Sequence, residues 1–114
     1  MKKIIVKEII GKKIAFSDED AEKVYIKIVE YISEKENVII SFKDIDMLIS
    51  RFLNVAIGRL YKTYKDWDIL DKILFFEDLD PDDKYLLLEK VIPTAKVHFL
   101  DIERSERIEM DILK

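Results

Sequence analysis

The sequence contains no cysteine, which excludes disulfides and thiolate zinc sites. Two glycines and two prolines leave little room for long irregular loops. There is one histidine, His98, so no second imidazole is available to a metal. No apolar run approaches the ~18 residues of a membrane-spanning helix, and no membrane association is expected. There is also no Gly-rich phosphate loop, no G-x-S-x-G elbow and no serine with an evident histidine base. The N-terminal stretch MKKIIVKEII is interrupted by Lys7 and Glu8, and no small-residue cleavage site follows it. It is therefore not read as a signal peptide, and a cytoplasmic location is expected.

What is present is core and charge. Hydrophobic residues make up 49% of the 114 positions and charged residues 39%, the balance of a folded chain with a strongly solvated surface. That length suits one domain with one core, read as residues 1–114 with the core over about 3–100. The net charge of -4 argues against a nucleic-acid surface. Lys12 with Lys13, and Arg59 with Lys62 and Lys65, are too sparse for a phosphate-binding stripe.

Lys3 to Ile10 is rich in Ile and Val and reads as a strand. Gly11 turns it into a second short strand, Ile14 to Phe16. Ser17 then caps a helix with Asp18, Glu19 and Asp20 in its first turn, and Asp20 completes a variant capping box. Ala21, Val24, Tyr25, Ile28 and Ile32 form its apolar stripe. Val38 to Ile40, with Phe42, is a continuous apolar run that suits a central strand covered on both faces. Changing either Ile39 or Ile40 to Asp is accordingly expected to unfold the domain.

A second helix opens at Ser50, with its stripe at Leu53, Ala56, Ile57, Leu60, Tyr61 and Tyr64. Lys65 to Asp71 reads as a connection anchored by Trp67, and Ile73 to Phe76 as a third buried strand. A third helix starts with Asp80 as cap and Pro81 at its first position, and ends at Pro93. Ala95 to Leu100 reads as a last strand. The tail from Asp101 fits a strand, through alternating Ile108, Met110 and Ile112, or a terminal helix equally well. Strands alternating with helices predict an α/β domain: a mixed, mostly parallel sheet of about four or five strands with helices packed against it.

Several polar constellations invite chemistry. Asp78, Asp80, Asp82 and Glu89 approach a calcium loop, but Asp83 stands where the sharp turn needs Gly, and the same acids explain themselves as a capped helix start. His98 lies between apolar neighbours and reads as a packed or surface residue. Asp44 and Asp46 follow the central strand, where open sheets place sites. With Asp78 they form the metal-binding rival, against a solvated loop. Ser50 reads first as an N-cap, and an acceptor for phosphate at a helix N-terminus is a compatible second reading.

The segments IAFSDEDAEKVYIKIVEYI and NVIISFKDIDMLISRFLNVAIGRLY resemble the bacterial and archaeal STAS-like domains of unassigned function, over about residues 3–100. These look like relatives of the STAS domains of anti-sigma factor antagonists and anion-transporter tails. In the better-known relatives a kinase, which is also the binding partner, phosphorylates a serine in an Asp-Ser-Ser-Gly stretch that opens the helix after the central strand. The matching stretch here is Ile49, Ser50, Arg51 and Phe52, without the acid or the glycine. The resemblance implies a STAS-like fold and a non-enzymatic, cofactor-free regulatory module that binds protein, with a histidine-kinase-type ATPase as partner. Its contact or phosphorylation residues would be Ser50, Arg51, Asp44 and Asp46, and a homodimer is compatible with it. The rivals are a small metal-dependent enzyme using Asp44, Asp46 and Asp78 and, more weakly, a nucleic-acid-associated regulator.

Overall fold

The structure is a computed structural model and describes residues 1–98. The described residues form five strands interspersed with helices, with two of the strands consecutive, and every pairing among them is parallel. The strands form two sheets rather than one. Strands β1 (Lys2–Ile5), β3 (Val38–Ser41) and β5 (Leu74–Glu77) make a three-stranded sheet with β3 in the centre. Strands β2 (Ile14–Ala15) and β4 (Met47–Leu48) pair separately as a short second sheet. The expected α/β architecture with a mostly parallel arrangement is what the chain adopts.

The three-stranded sheet buries one face. Registers Lys2–Val38–Leu74 and Ile4–Ile40–Phe76 fix which residues share a side. On that side Ile4, Val38, Ile40 and Leu74 are buried, and helix α2 (Asp18–Ser33) packs against both β1 and β3. On the other side Lys3, Phe75 and Glu77 are exposed, Ile5 and Ile39 are half-buried, and Ser41 at the C-terminal end is buried. Lys3 and Glu77 pair across it at 3.1 Å. The expectation of a central strand covered on both faces is therefore corrected among the described residues. The run Val38–Ile40 is apolar throughout, so period alone did not separate a one-sided strand from a two-sided one. β5 is likewise an edge strand, not a buried one, with Phe75 43% exposed.

Helix α2 follows its sequence reading closely. Ser17 is the N-cap, and its hydroxyl accepts from the Asp20 backbone N–H at 3.1 Å. Ala21, Val24, Tyr25 and Ile28 are buried. The helix opening at Ser50 runs as α3 (Ser50–Leu53), a π-helical turn (Asn54–Gly58) and α4 (Leu60–Thr63). Phe52, Leu53, Ala56, Ile57 and Leu60 are fully buried along it. At Gly58 an added Cβ would meet Val91 Cγ1 at 3.4 Å and Ala95 Cβ at 3.6 Å. Both are ordinary van der Waals distances, so the C-terminal helical segment packs against this helix without requiring glycine there.

Four local readings are corrected. Val6–Ile10 is helix α1, not the end of a strand. Its buried residues Val6 and Ile10 are spaced i, i+4, and Gly11 closes it in the left-handed region at φ 71. Trp67–Ile73 is helix α5, not a connection. Its cap is Asp66, whose carboxylate accepts from Ile69 N–H at 3.1 Å. The Trp67 anchor is real: its indole N–H donates to the Tyr61 carbonyl at 2.8 Å.

Pro93 does not end the third helix, which begins as α6 (Pro81–Tyr85), passes through a π-helical turn (Leu86–Val91) and stays helical over 92–98. Just before the proline, Ile92 N–H reaches back five residues to the Leu87 carbonyl. The wider turn provides the space a proline ring needs against the preceding carbonyls. Residues 95–98, read as a strand, are thus helical, and His98 sits on that helix. The readings for Phe99, Leu100 and the tail from Asp101 lie outside the described residues.

Candidate functional site

The candidate region is assembled where β2 and β4 hand over to α2 and α3. Ile49 donates its N–H to the Ala15 carbonyl at 3.3 Å, and its own carbonyl accepts from Leu53 N–H at 3.4 Å. Ile49 is therefore the N-cap, and Ser50 is the first helical residue. The expectation that the Ser50 hydroxyl caps the helix is corrected: no side chain caps this end. The chain enters α3 from a strand whose next residue, Ile49, packs against the core, which shifts the cap back by one. Ser50 is left exposed on the surface.

Arg51 does not stand free. Its Nε donates to Asp18 Oδ1 at 2.8 Å and its Nη2 to Asp18 Oδ2 at 2.6 Å. This two-point clasp ties the start of α3 to the start of α2 across 33 positions of sequence. The guanidinium holds the Asp18 carboxyl below its ordinary value, and the carboxylate raises Arg51 in return. Both side chains are mostly exposed, at 72% for Arg51 and 49% for Asp18, so the clasp orients more than it stabilises.

These positions predict contrasting effects for two serines. Ser17→Ala is expected to cost about 1 kcal/mol, because its hydroxyl satisfies a first-turn N–H. Ser50→Ala is expected to change stability by less than about 0.5 kcal/mol, as an exposed surface substitution does. Urea melts of the two variants check the order. A larger loss at Ser50 would restore it as the cap.

The acids expected beside this helix part company. Asp44 adopts φ 60 and lines a pocket of about 320 Å³ with Lys43, Asp78, Asp80 and Asp83 at the C-terminal ends of β3 and β5. Asp78 accepts from the Ser41 hydroxyl at 2.8 Å. Asp80 accepts from Asp83 N–H at 2.8 Å as the α6 cap, with Pro81 behind it, so the helix-start reading of these acids holds. Burial, then the neighbouring Asp80, raises the Asp83 carboxyl. Asp46 lies elsewhere, with its N–H on the Lys13 carbonyl at 2.8 Å. Asp44 and Asp78 thus share a pocket whose walls do not include Asp46. Among the described residues, no group of three or more acids and histidines is placed to hold a metal ion.

What sequence reasoning passed over is apolar. The register Ile14–Met47 and Ala15–Leu48 puts Ile14 and Met47 on one face of the small sheet and Ala15 and Leu48 on the other. Ala15 is buried and Leu48 packs against the core. Ile14, Met47 and the neighbouring Phe16 are 45%, 54% and 56% exposed. Single exposed apolar side chains are ordinary, but Ile14 and Met47 are in addition paired across the strands, and Phe16 follows Ile14 by two residues. The signal was available in the alternation Ile14, Ala15, Phe16. The pairing with Met47, inside what read as a loop, was not.

Residues 20–84 match the family described as STAS-like domain of unknown function (DUF4325), more than half of the chain. The chain belongs to this STAS-like family. No curated protein and no solved structure matches it. The family match takes in helix α2 from Asp20, the central strand, the β4 segment and the helix from Ser50, and so includes Asp46, Met47, Ser50 and Arg51 but not Ile14, Phe16 or Asp18. No helix among the described residues is long and apolar enough to cross a membrane.

Proposed function

We propose that this STAS-like domain is a cytoplasmic, non-enzymatic regulatory module that works by binding a protein partner. The contact surface is the outer face of β2–β4, with Ile14, Phe16 and Met47, bordered by Asp46, Ser50 and the Arg51–Asp18 clasp. The exposed apolar patch is the observation that carries this reading, because a surface with no partner has little reason to keep three such side chains together. The charged border fits the polar rim around an apolar contact. Following the family resemblance, the partner is a histidine-kinase-type ATPase and Ser50 is its acceptor. The Ser50 hydroxyl is exposed, and a phosphate there would compete with Asp18 for Arg51 and open the clasp.

Affinity capture from a lysate of the source cells, followed by mass spectrometry, tests it with three baits. Wild type should retain a partner that Phe16→Asp and Met47→Asp lose, while all three keep the same melting temperature. Incubating the retained partner with ATP should add phosphate at Ser50. A partner held equally by all three baits would move the contact off this face.

A further inference from the structure

A cavity of about 300 Å³ lies between the helix that opens at Ser50 and the C-terminal helical segment. It shares no residue with the contact surface proposed above. The first helix contributes Asn54, Gly58, Arg59 and Lys62 to its walls, and the second contributes Thr94, Ala95 and His98. Asn54, Gly58 and Lys62 recur every four residues, as do Thr94 and His98, so each helix turns one face to the cavity. No acid lines it, although the chain as a whole carries a net charge of -4. Arg59 and Lys62 are too few to track a polyanion, but two cations at one cavity suffice for a single anionic group.

The cations are placed differently. Arg59 donates through Nη1 to Glu22 on α2, and its guanidinium lies over the Tyr25 ring at 4.0 Å from the centroid. These two contacts fix the plane of the fork, and its other N–H groups stay available. Lys62 has no ion pair among the described residues, and the side chains of Asn54 and Thr94 have no hydrogen bond among them. Gly58 and Ala95 supply the apolar part of the wall, with no side chain and one methyl group to fill the space. The stretch Asn54–Gly58 is itself a π-helical turn, a distortion that recurs at functional sites. We propose that this cavity binds a small organic anion, a carboxylate or phosphate carried on a compact apolar body. Arg59 and Lys62 hold the anionic group, Asn54 and Thr94 orient it, and the body lies against Gly58 and Ala95. A few placed polar groups around a mainly apolar hollow are the usual make-up of a ligand site. The inference stands apart from the partner reading, since it holds whether or not the β2–β4 face is occupied.

Amide NMR titrations of the full chain with phenyl phosphate and with benzoate test the proposal, with phenol as the neutral control of the same ring. At least one of the two anions should shift the amides of Asn54, Gly58, Arg59, Thr94 and Ala95, with a Kd below about 1 mM. The anion that binds more tightly identifies the head group. Phenol should bind at least about ten-fold more weakly, because it cannot engage the two cations. Lys62→Glu should weaken the anion at least about ten-fold by placing a like charge at the cavity. It should melt with wild type, since Lys62 is exposed. Ala95→Leu, which fills the cavity without changing its charge, should weaken the anion as well. If neither anion shifts these amides, the site is overturned. Equal affinity for phenol overturns the recognition of charge. Undiminished anion binding in both Lys62→Glu and Ala95→Leu overturns the proposal by placing the ligand elsewhere.

Discussion

Ile40→Asp unfolds the domain, whereas Ile39→Asp, one residue away on the same strand, leaves it folded. The two side chains differ in face and not in type. Ile40 sits in the centre of the central strand, fully buried, between Ile4 and Phe76 in register. Among the described residues the core holds no cation for a carboxylate there to pair with. Desolvating it, and losing the packed isoleucine, costs several kcal/mol, on the scale of the ~5–15 kcal/mol that hold a whole domain together. Ile39 lies on the opposite face in the row Lys3–Ile39–Phe75, where it is only half-buried. Its carboxylate can reach water and stand near Lys3, so a loss of about 1 kcal/mol is expected. Far-UV circular dichroism melts of the two variants read the contrast. Equal unfolding by both would mean that the outer face of this sheet is covered after all.

That contrast also shows where sequence reading stops. The stripes of the two long helices were legible because their period is repeated over several turns: Ala21, Val24, Tyr25 and Ile28, then Leu53, Ala56, Ile57, Leu60 and Tyr61, are all buried. The central strand was legible as a strand, but an unbroken apolar run carries no information on which side faces water. Helix α1 was hidden because Val6, Ile9 and Ile10 favour strands locally, and packing against α2 overrides that preference. Helix α5 was signalled by Asp66 as cap with Trp67 and Leu70 behind it, a pattern short enough to pass for a connection.

The C-terminal helix was cut at Pro93 by a sound rule that a π-helical turn circumvents. There the burial of Leu87, Val91 and Ile92 continues to half-buried Ala95 with helical spacing across the proline. The tie between this segment and the rest is polar and long-range. Lys96 pairs with Asp71 at 3.0 Å, and Asp71 accepts from the Tyr61 hydroxyl at 2.6 Å, three residues that no local window joins. Burial, with Asp71 beside it, pushes the Tyr61 hydroxyl well above its ordinary value, so it stays a neutral donor.

At the candidate site the same limit applies. Ser50 was found as a helix start, and Arg51 by resemblance. The partner of Arg51 was out of reach, because Asp18 reads as a first-turn acid and nothing local places it against α3. The apolar patch needed the pairing of two two-residue strands, and strands that short carry almost no periodic signal.

The turn that presents this patch rests on an ion pair between a buried carboxylate and a half-exposed lysine, and the pair should respond asymmetrically to its two deletions. Asp20 has a side chain only 4% exposed, with Lys12 Nζ at 2.8 Å and Lys23 Nζ farther off at 3.7 Å. Lys12, at 52% exposure, keeps most of its contact with water. In Lys12→Ala the carboxylate stays buried without its main partner, and a loss of about 2 kcal/mol is expected. In Asp20→Ala the lysine turns to solvent and the Ser17 hydroxyl still receives the backbone N–H of position 20, so about 1 kcal/mol is expected.

Acidity supplies the second half of the test. Lys12, followed by the Ser17 hydrogen bond, holds the Asp20 carboxyl below its ordinary value of 3.8 against the opposing effect of burial. A depressed carboxyl contributes stability above its unfolded pKa and loses it as the pH falls through the native one. The gap between wild type and Lys12→Ala should therefore be full at neutral pH and close in acid, below the native pKa of Asp20. Urea melts at the two pH values measure it, and a gap that persists in acid would assign the loss to packing of the lysine stem instead. Since Lys12 leads directly into Ile14 and Phe16, the same variant should weaken partner capture more than its stability alone accounts for. The pair fastens the start of β2 to helix α2, and the face that β2 presents depends on that fastening.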